Sequence, residues 1–108
     1  MTTTPRIFGQ SKPVAGIETN LLTVNLASTA QLNLIVANQS ASIDRFSIEI
    51  IPNEDSPDPA RFIAYNTPLL GNGVFSVAGI GLSGGDSVVV STQGGNCSIT
   101  GTGLEFTP

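Results

Sequence analysis

The sequence contains no histidine and no tryptophan, and only one cysteine (Cys97) and one tyrosine (Tyr65) among its 108 residues. Without histidine, a serine or cysteine nucleophile has no imidazole base to activate it. One cysteine and no histidine cannot build a zinc site. The single cysteine also excludes an intramolecular disulfide framework, so stability has to come from packing and sheet hydrogen bonds. Charge is scarce as well: charged residues make up 11%, against ~25% in ordinary soluble domains. The four basic residues, Arg6, Lys12, Arg45 and Arg61, are scattered. Nucleic acid needs clustered lysine or arginine to displace counterions, so no nucleic-acid partner is expected. No apolar run approaches the ~20 residues that cross a bilayer, so no membrane partner is expected. Residues 1–6 show no basic stretch leading into an apolar one, and the expectation is synthesis in a reducing cytoplasm. In that setting the acceptor patterns Asn38-Gln39-Ser40 and Asn96-Cys97-Ser98 are accidental.

What is present is punctuation. The chain has 12 glycines and 7 prolines spaced among short apolar and β-branched runs. Strands are expected at 6–10 (a short edge strand), 21–26, 31–38, 44–51, 61–66, 74–78, 87–92, 97–102 and 104–106. In 31–38, Leu32, Leu34 and Val36 fall on one face at period two. In 44–51, Phe46, Ile48 and Ile50 oppose Ser47 and Glu49, which puts Glu49 on the solvent face. In 61–66, Phe62, Ala64 and Asn66 oppose Ile63 and Tyr65. Val88-Val89-Val90 reads as buried on both faces, and residues 53–59 as an acidic, proline-rich loop. No helical stripe of useful length occurs. The expected fold is all-β: a single antiparallel β-sandwich with a Greek-key or jelly-roll-like path. Residues 1–10 form an N-terminal arm or edge strand, and residues 11–108 the sandwich domain.

The residues that carry chemistry all have structural readings. Residues 79–84 satisfy G-x-G-x-x-G, but a strand follows where the dinucleotide mechanism needs a helix N-terminus. The glycines there read as a pair of tight turns. Glu54, Asp55 and Asp58 offer oxygen ligands for calcium, yet their spacing fits no EF-hand and the prolines limit convergence. Asp44, Glu49, Asp86 and Glu105 are the remaining acids that could form a catalytic pair. Two begin strands, one lies on a solvent face and one is near the C-terminus. Lys12, beside Pro13, has nothing to desolvate it. Cys97 has no cationic neighbour in sequence to stabilise a thiolate and reads as a core or interface residue. The expectation is therefore no catalytic residues, no metal and no cofactor. The low charge leaves two readings open, a protein that sits against neighbours and a Ser/Thr-rich domain that is simply soluble.

The order of segments carries a resemblance. Phe8-Gly9-Gln10 stands before a proline-containing loop, and Leu21-Leu22-Thr23-Val24 follows. Ile35-Val36-Ala37-Asn38 ends an apolar strand, and Ile43-Asp44-Arg45-Phe46-Ser47-Ile48 begins the next. Then come Phe62-Ile63-Ala64-Tyr65-Asn66-Thr67-Pro68-Leu69, the run Gly81-Leu82-Ser83-Gly84-Gly85-Asp86-Ser87-Val88-Val89-Val90, and the ending Ile99-Thr100-Gly101-Thr102-Gly103-Leu104-Glu105. Over roughly residues 8–106 the chain resembles the small β-sandwich structural proteins of tailed-bacteriophage virions, of the head-decoration (cement) type. It departs at Val24-Asn25-Leu26-Ala27, where a Val-Pro-Ala-Gly turn is common. The resemblance implies a non-enzymatic protein on the capsid surface of the virion. Its expected partners are the major capsid protein and other copies of itself, a trimer being favoured. Partner binding is expected at Thr2, Thr3, Thr4, Pro5, Arg6, Ile7 and Phe8, through addition of residues 1–10 as a strand to a neighbour. The rival readings are a tail, neck, baseplate or fibre module, and a carbohydrate- or receptor-binding module.

Overall fold

The structure, a computed structural model, describes residues 2–55 and 58–108. Met1 of the expected arm, and Ser56 and Pro57 of the expected acidic loop, lie outside the described residues. In chain order the strands are β1 (Thr2–Ser11), β2 (Thr19–Thr23), β3 (Thr29–Asn38), β4 (Asp44–Ile51), β5 (Phe62–Leu69), β6 (Val74–Leu82), β7 (Ser87–Thr92) and β8 (Cys97–Thr107). One 3-10 turn, Pro59–Arg61, precedes β5. The strands form two antiparallel four-stranded sheets, β1-β8-β3-β6 and β2-β7-β4-β5, packed as a sandwich. Within them β1 pairs with β8, β2 with β7, β3 with β6 and β4 with β5. The chain is thus one long two-stranded ribbon doubled on itself. The β3–β8 and β4–β7 ladders join its successive windings.

The core follows from period-two patterning. Leu32, Leu34 and Val36 of β3, Phe46 and Ile48 of β4, Val88 and Val90 of β7, and Ile99 of β8 all point inward and are buried. The Phe46 and Phe75 rings meet across the sandwich with centroids 5.0 Å apart. Val89 takes the outward position between two buried valines and is half-buried, so β7 alternates and is not buried on both faces.

Several segments differ from their sequence expectation. The expected edge strand at 6–10 is present but begins at Thr2, so Thr2–Ser11 pairs with β8 along its length and residues 2–5 are not a free arm. β2 stops at Thr23, although Val24 beyond it is still buried. β6 runs through the expected double turn to Leu82. Gly79, with φ at +75°, forms a bulge there and keeps the strand in the sheet. β8 is one strand where two were expected. Its glycines mark close approach. A Cβ on Gly101 would lie 2.8 Å from Leu22 Cδ2, and one on Gly103 would collide with the Gln31 carbonyl oxygen. Phe62 does not share a face with Ala64. A register shift separates them, and the Phe62 ring meets Tyr65 edge-on at 4.9 Å.

The interruptions are not randomly placed. Each edge strand carries a register shift against its neighbour: β1 at Ile7/Gly9, β2 at Asn20/Leu22, β6 opposite Leu32/Leu34, and β5 opposite Phe46/Ile48 and Ile48/Glu49. The two interior ladders run without one. Bulges bend and twist an edge away from a flat template, which blunts strand addition. In β5 the device is reinforced by Asn66 at φ +47° and by Pro68.

Candidate functional site

The residues expected to bind partners lie in β1. Thr2 to Ile7 are exposed at every position, on both faces of the sheet, while Phe8 is half-buried and packs against the core. The exposed half is held by its ladder to residues 102–107 of β8. Arg6 also reaches Glu105 at 3.0 Å and lies over the Phe8 ring at 5.0 Å. Thr2, Thr4 and Arg6 occupy inward positions, opposite Thr107, Glu105 and Gly103, yet no core covers them. This segment therefore projects beyond the packed sandwich. It stops where glycine becomes necessary: a Cβ on Gly9 would collide with the Leu21 carbonyl oxygen of β2.

A second surface emerges from the pairing and was not apparent in the sequence. The outward residues of β8 are Ser98, Thr100, Thr102, Leu104 and Phe106. Those of β3 are Thr29, Gln31, Asn33, Ile35 and Ala37, opposite them in register. The face continues through Thr3, Pro5 and Ile7 of β1, and through Val74, Ser76 and Gly81 of β6. Among the described residues this face carries no charge. Ile7, Ile35 and Val74 are 61%, 39% and 66% exposed on it. No single segment shows this, because the face draws every second residue from four strands distant in sequence.

The outer face of the other sheet is different. It presents Arg45, and Glu49 at its centre. Glu49 is on the expected face but is only 1% exposed. Asp58 and Pro59 lie over it, and Asp58 N donates to its Oε2 at 3.1 Å. A small hollow of about 160 Å³ opens here among Glu18, Glu49, Asp58, Pro59 and Phe62. The acids of the loop have separate structural tasks. Asp58 Oδ1 accepts from Ala60 N at 2.8 Å and starts the 3-10 turn. Asp55 pairs with Arg61 at 3.3 Å. Glu54 holds a turn position at φ +64°. Among the described residues no three histidine, cysteine, aspartate or glutamate side chains gather as metal ligands.

Other acids close the ends of the sandwich. Asp86 accepts from Ser83 N at 2.8 Å and from Asn53 N at 2.9 Å. Asp44 is buried at the opposite end. Its carboxylate accepts from Gly94 N at 2.7 Å, Arg45 N at 2.8 Å and Asn96 N at 3.0 Å, and the Cys97 thiol approaches at 3.6 Å. Burial alone would raise its pKa, but the three backbone donors and the thiol outweigh it, and the net direction is down. The same pairing acts oppositely on Cys97. Burial first, then the Asp44 charge, pushes the thiol up to about 11, so the fully buried side chain disfavours the reactive thiolate. Asn38 seals the same end, donating from Nδ2 to the carbonyls of Ser42, Leu69 and Leu70 at 2.8, 3.0 and 3.2 Å.

A larger open hollow, about 610 Å³, lies at the Asp86 end between Leu26, Ala27, Ser28, Gly84, Phe106 and Pro108. Its lining carries no titratable side chain. Among the described residues, no helix is long and apolar enough to cross a membrane. No family model, curated protein or solved structure matches this chain.

Proposed function

We propose that this chain is a non-enzymatic structural protein of a tailed-phage virion. In this reading it is a capsid decoration, or cement, protein that stabilises the major capsid shell as a symmetric oligomer. The observation that carries it is the projecting half of β1. Six consecutive residues, Thr2 to Ile7, are exposed on both faces and add nothing to the core, which is how a docking element is built. Two further features support it. The doubled ribbon resembles the path of a jelly roll, an architecture used by viral capsid and lectin domains alike. The acids Asp44, Glu49, Asp86 and Glu105 are each taken up by a structural contact. Repeated weak contacts on a shell give avidity without any strong single site.

The interrupted edges change how docking is pictured. β1 is already paired with β8, so its exposed side chains, rather than a free arm seeking an unpaired edge, meet the partner. The test is quantitative mass spectrometry of purified particles, with full-length chain and with residues 2–6 deleted. A copy number near that of the major capsid subunit, lost on deletion while the core stays folded, is the expected result. A small number set by tail symmetry moves the protein to the tail, neck, baseplate or fibre. Absence from particles overturns the virion reading.

One observation favours a second reading. Tyr65 is 72% exposed and stands edge-on to Phe62, which lines the hollow together with Glu18, Glu49 and Asp58. An aromatic surface beside hydrogen-bond acceptors suits a sugar ring, as a carbohydrate- or receptor-binding module needs. Loss of glycan binding in Tyr65→Ala would support it, and an empty glycan array would remove it.

A further inference from the structure

We infer that the uncharged outer face of the β1-β8-β3-β6 sheet is the surface through which copies of this chain meet one another. This rests on the proposed function for its setting, a symmetric oligomer, and adds which surface the copies share.

Three observations carry it. The first is charge. The chain has 12 charged side chains and a net charge of −4, so two copies meeting at random repel one another. The loop-covered side of the molecule would bring charges of both signs into the contact, among them Arg45, Asp58 and the Asp55–Arg61 pair, and each would have to be desolvated. Among the described residues the β1-β8-β3-β6 face brings no charge to the contact, so it avoids both like-charge juxtaposition and the cost of desolvating charged groups. The second is composition. Ile35, Leu104 and Phe106 sit among Thr100, Thr102, Gln31 and Asn33. This mixture of apolar and neutral polar groups, depleted in charge, is that of a protein interface core.

The third is size. Four strands about 4.8 Å apart and about ten residues long at ~3.3 Å per residue span roughly 600 Å² in projection. A corrugated side-chain surface exceeds its projection, so the face approaches the ~800 Å² per partner of a standard stable interface. The bulged edges favour the same conclusion. A sheet whose edges resist strand addition associates through its face, and stacked sheets pack about 10 Å apart by interleaving side chains.

The experiment is native mass spectrometry with light scattering across a concentration series. The full chain is compared with the double variant Gln31→Glu/Ile35→Glu and with Tyr65→Glu. Both substituted β3 positions are exposed on the face, and Tyr65 lies in the other sheet. The full chain is expected at a multiple of its 11.1 kDa. The double variant should self-associate at least tenfold more weakly, and Tyr65→Glu should behave as the full chain. Thermal unfolding of each variant, followed by circular dichroism, verifies that all three are folded. If the double variant does not fold, Gln31→Lys alone takes its place.

A single-chain mass at every concentration overturns the inference, as does an oligomer that survives the charges. A monomer that needs this face to enter particles would assign the face to a different virion protein, which also overturns it. An oligomer broken by the variant yet absent from particles keeps the inference and removes the virion reading instead.

Discussion

The two outer faces of this sandwich are built from the same strand chemistry and end up opposite in character. On the β1-β8-β3-β6 side, alternation leaves threonine, serine, glutamine and asparagine facing outward with a few aliphatic and aromatic side chains, and nothing covers them. On the β2-β7-β4-β5 side, Asp58, Pro59 and Phe62 pack over the sheet around Glu49, which is 1% exposed. One face is therefore finished by the chain itself and the other is left bare. A bare, charge-free sheet is unusual for a molecule that works alone, since free domains generally carry mixed charge on exposed surfaces. The difference shows that patterning decides which residues point outward, while the connections decide whether outward means solvent.

The inner faces do not share this asymmetry, and that gives the largest expected effect. Phe46, in the loop-covered sheet, packs on Phe75 of the bare one. Phe46→Ala should cost about 3–5 kcal/mol and should destabilise both sheets together. Tyr65 fluorescence reports on β5, and thiol labelling of buried Cys97 on β8. Coincident denaturant transitions from the two probes are expected. Separate transitions would mean that the sheets unfold independently, and the contrast between faces would then extend to stability.

Asp44 comes next, because it ties the β4 end of one sheet to the turn that enters β8 of the other. Asp44→Asn puts an amide donor where backbone donors converge and should cost about 1–3 kcal/mol at neutral pH. The folded-state pKa of Asp44 is lowered from its ordinary 3.8. Its contribution is therefore complete above that value and is lost as pH falls through the folded one. The gap between wild type and variant should close in that acid window and stay constant above it. A gap unchanged down to the acid limit would show that the carboxylate charge is not what the turn requires.

Glu49→Gln isolates the covered face. An acceptor for Asp58 N remains, but the charge goes, at about 0.5–1.5 kcal/mol. Proteolysis within 53–61 should accelerate, while amide protection along the β3–β8 ladder stays as it was. Equal loosening of both would make the loop a part of the global fold rather than a cover for one sheet.

Much of this was legible from residues alone, and the rest failed for definite reasons. The alternation of Leu32, Leu34 and Val36, and of Phe46, Ile48 and Ile50, identified the central strands because the signal is local. Gly79 and Gly103 misled because glycine is ambiguous: a turn and a close backbone approach demand the same residue, and only the neighbouring strand distinguishes them. Glu49 was placed on the right face, but its burial depends on a connection that returns from outside its own strand. Residues 1–5 read as an arm because Thr-Thr-Thr-Pro carries little apolar signal, and the pairing of Thr2 to Pro5 is set by β8 about a hundred residues away. The uncharged face was invisible for the same reason, since register rather than sequence assembles it.

The smallest expected effect tests whether the projecting half of β1 is separable from the sandwich. Arg6→Ala removes the 3.0 Å contact to Glu105 and the stacking over Phe8. The Arg6 side chain is 46% exposed, so solvent and salt screen the pair and its loss should cost no more than about 0.5–1 kcal/mol. Amides of residues 3–7 should exchange faster while the midpoint of global unfolding barely moves, and added salt should narrow the difference further. The backbone ladder to β8 would then be what holds this segment, with its side chains left free for a partner. A large drop in global stability would instead make residues 2–7 a working part of the core and remove them as a docking element.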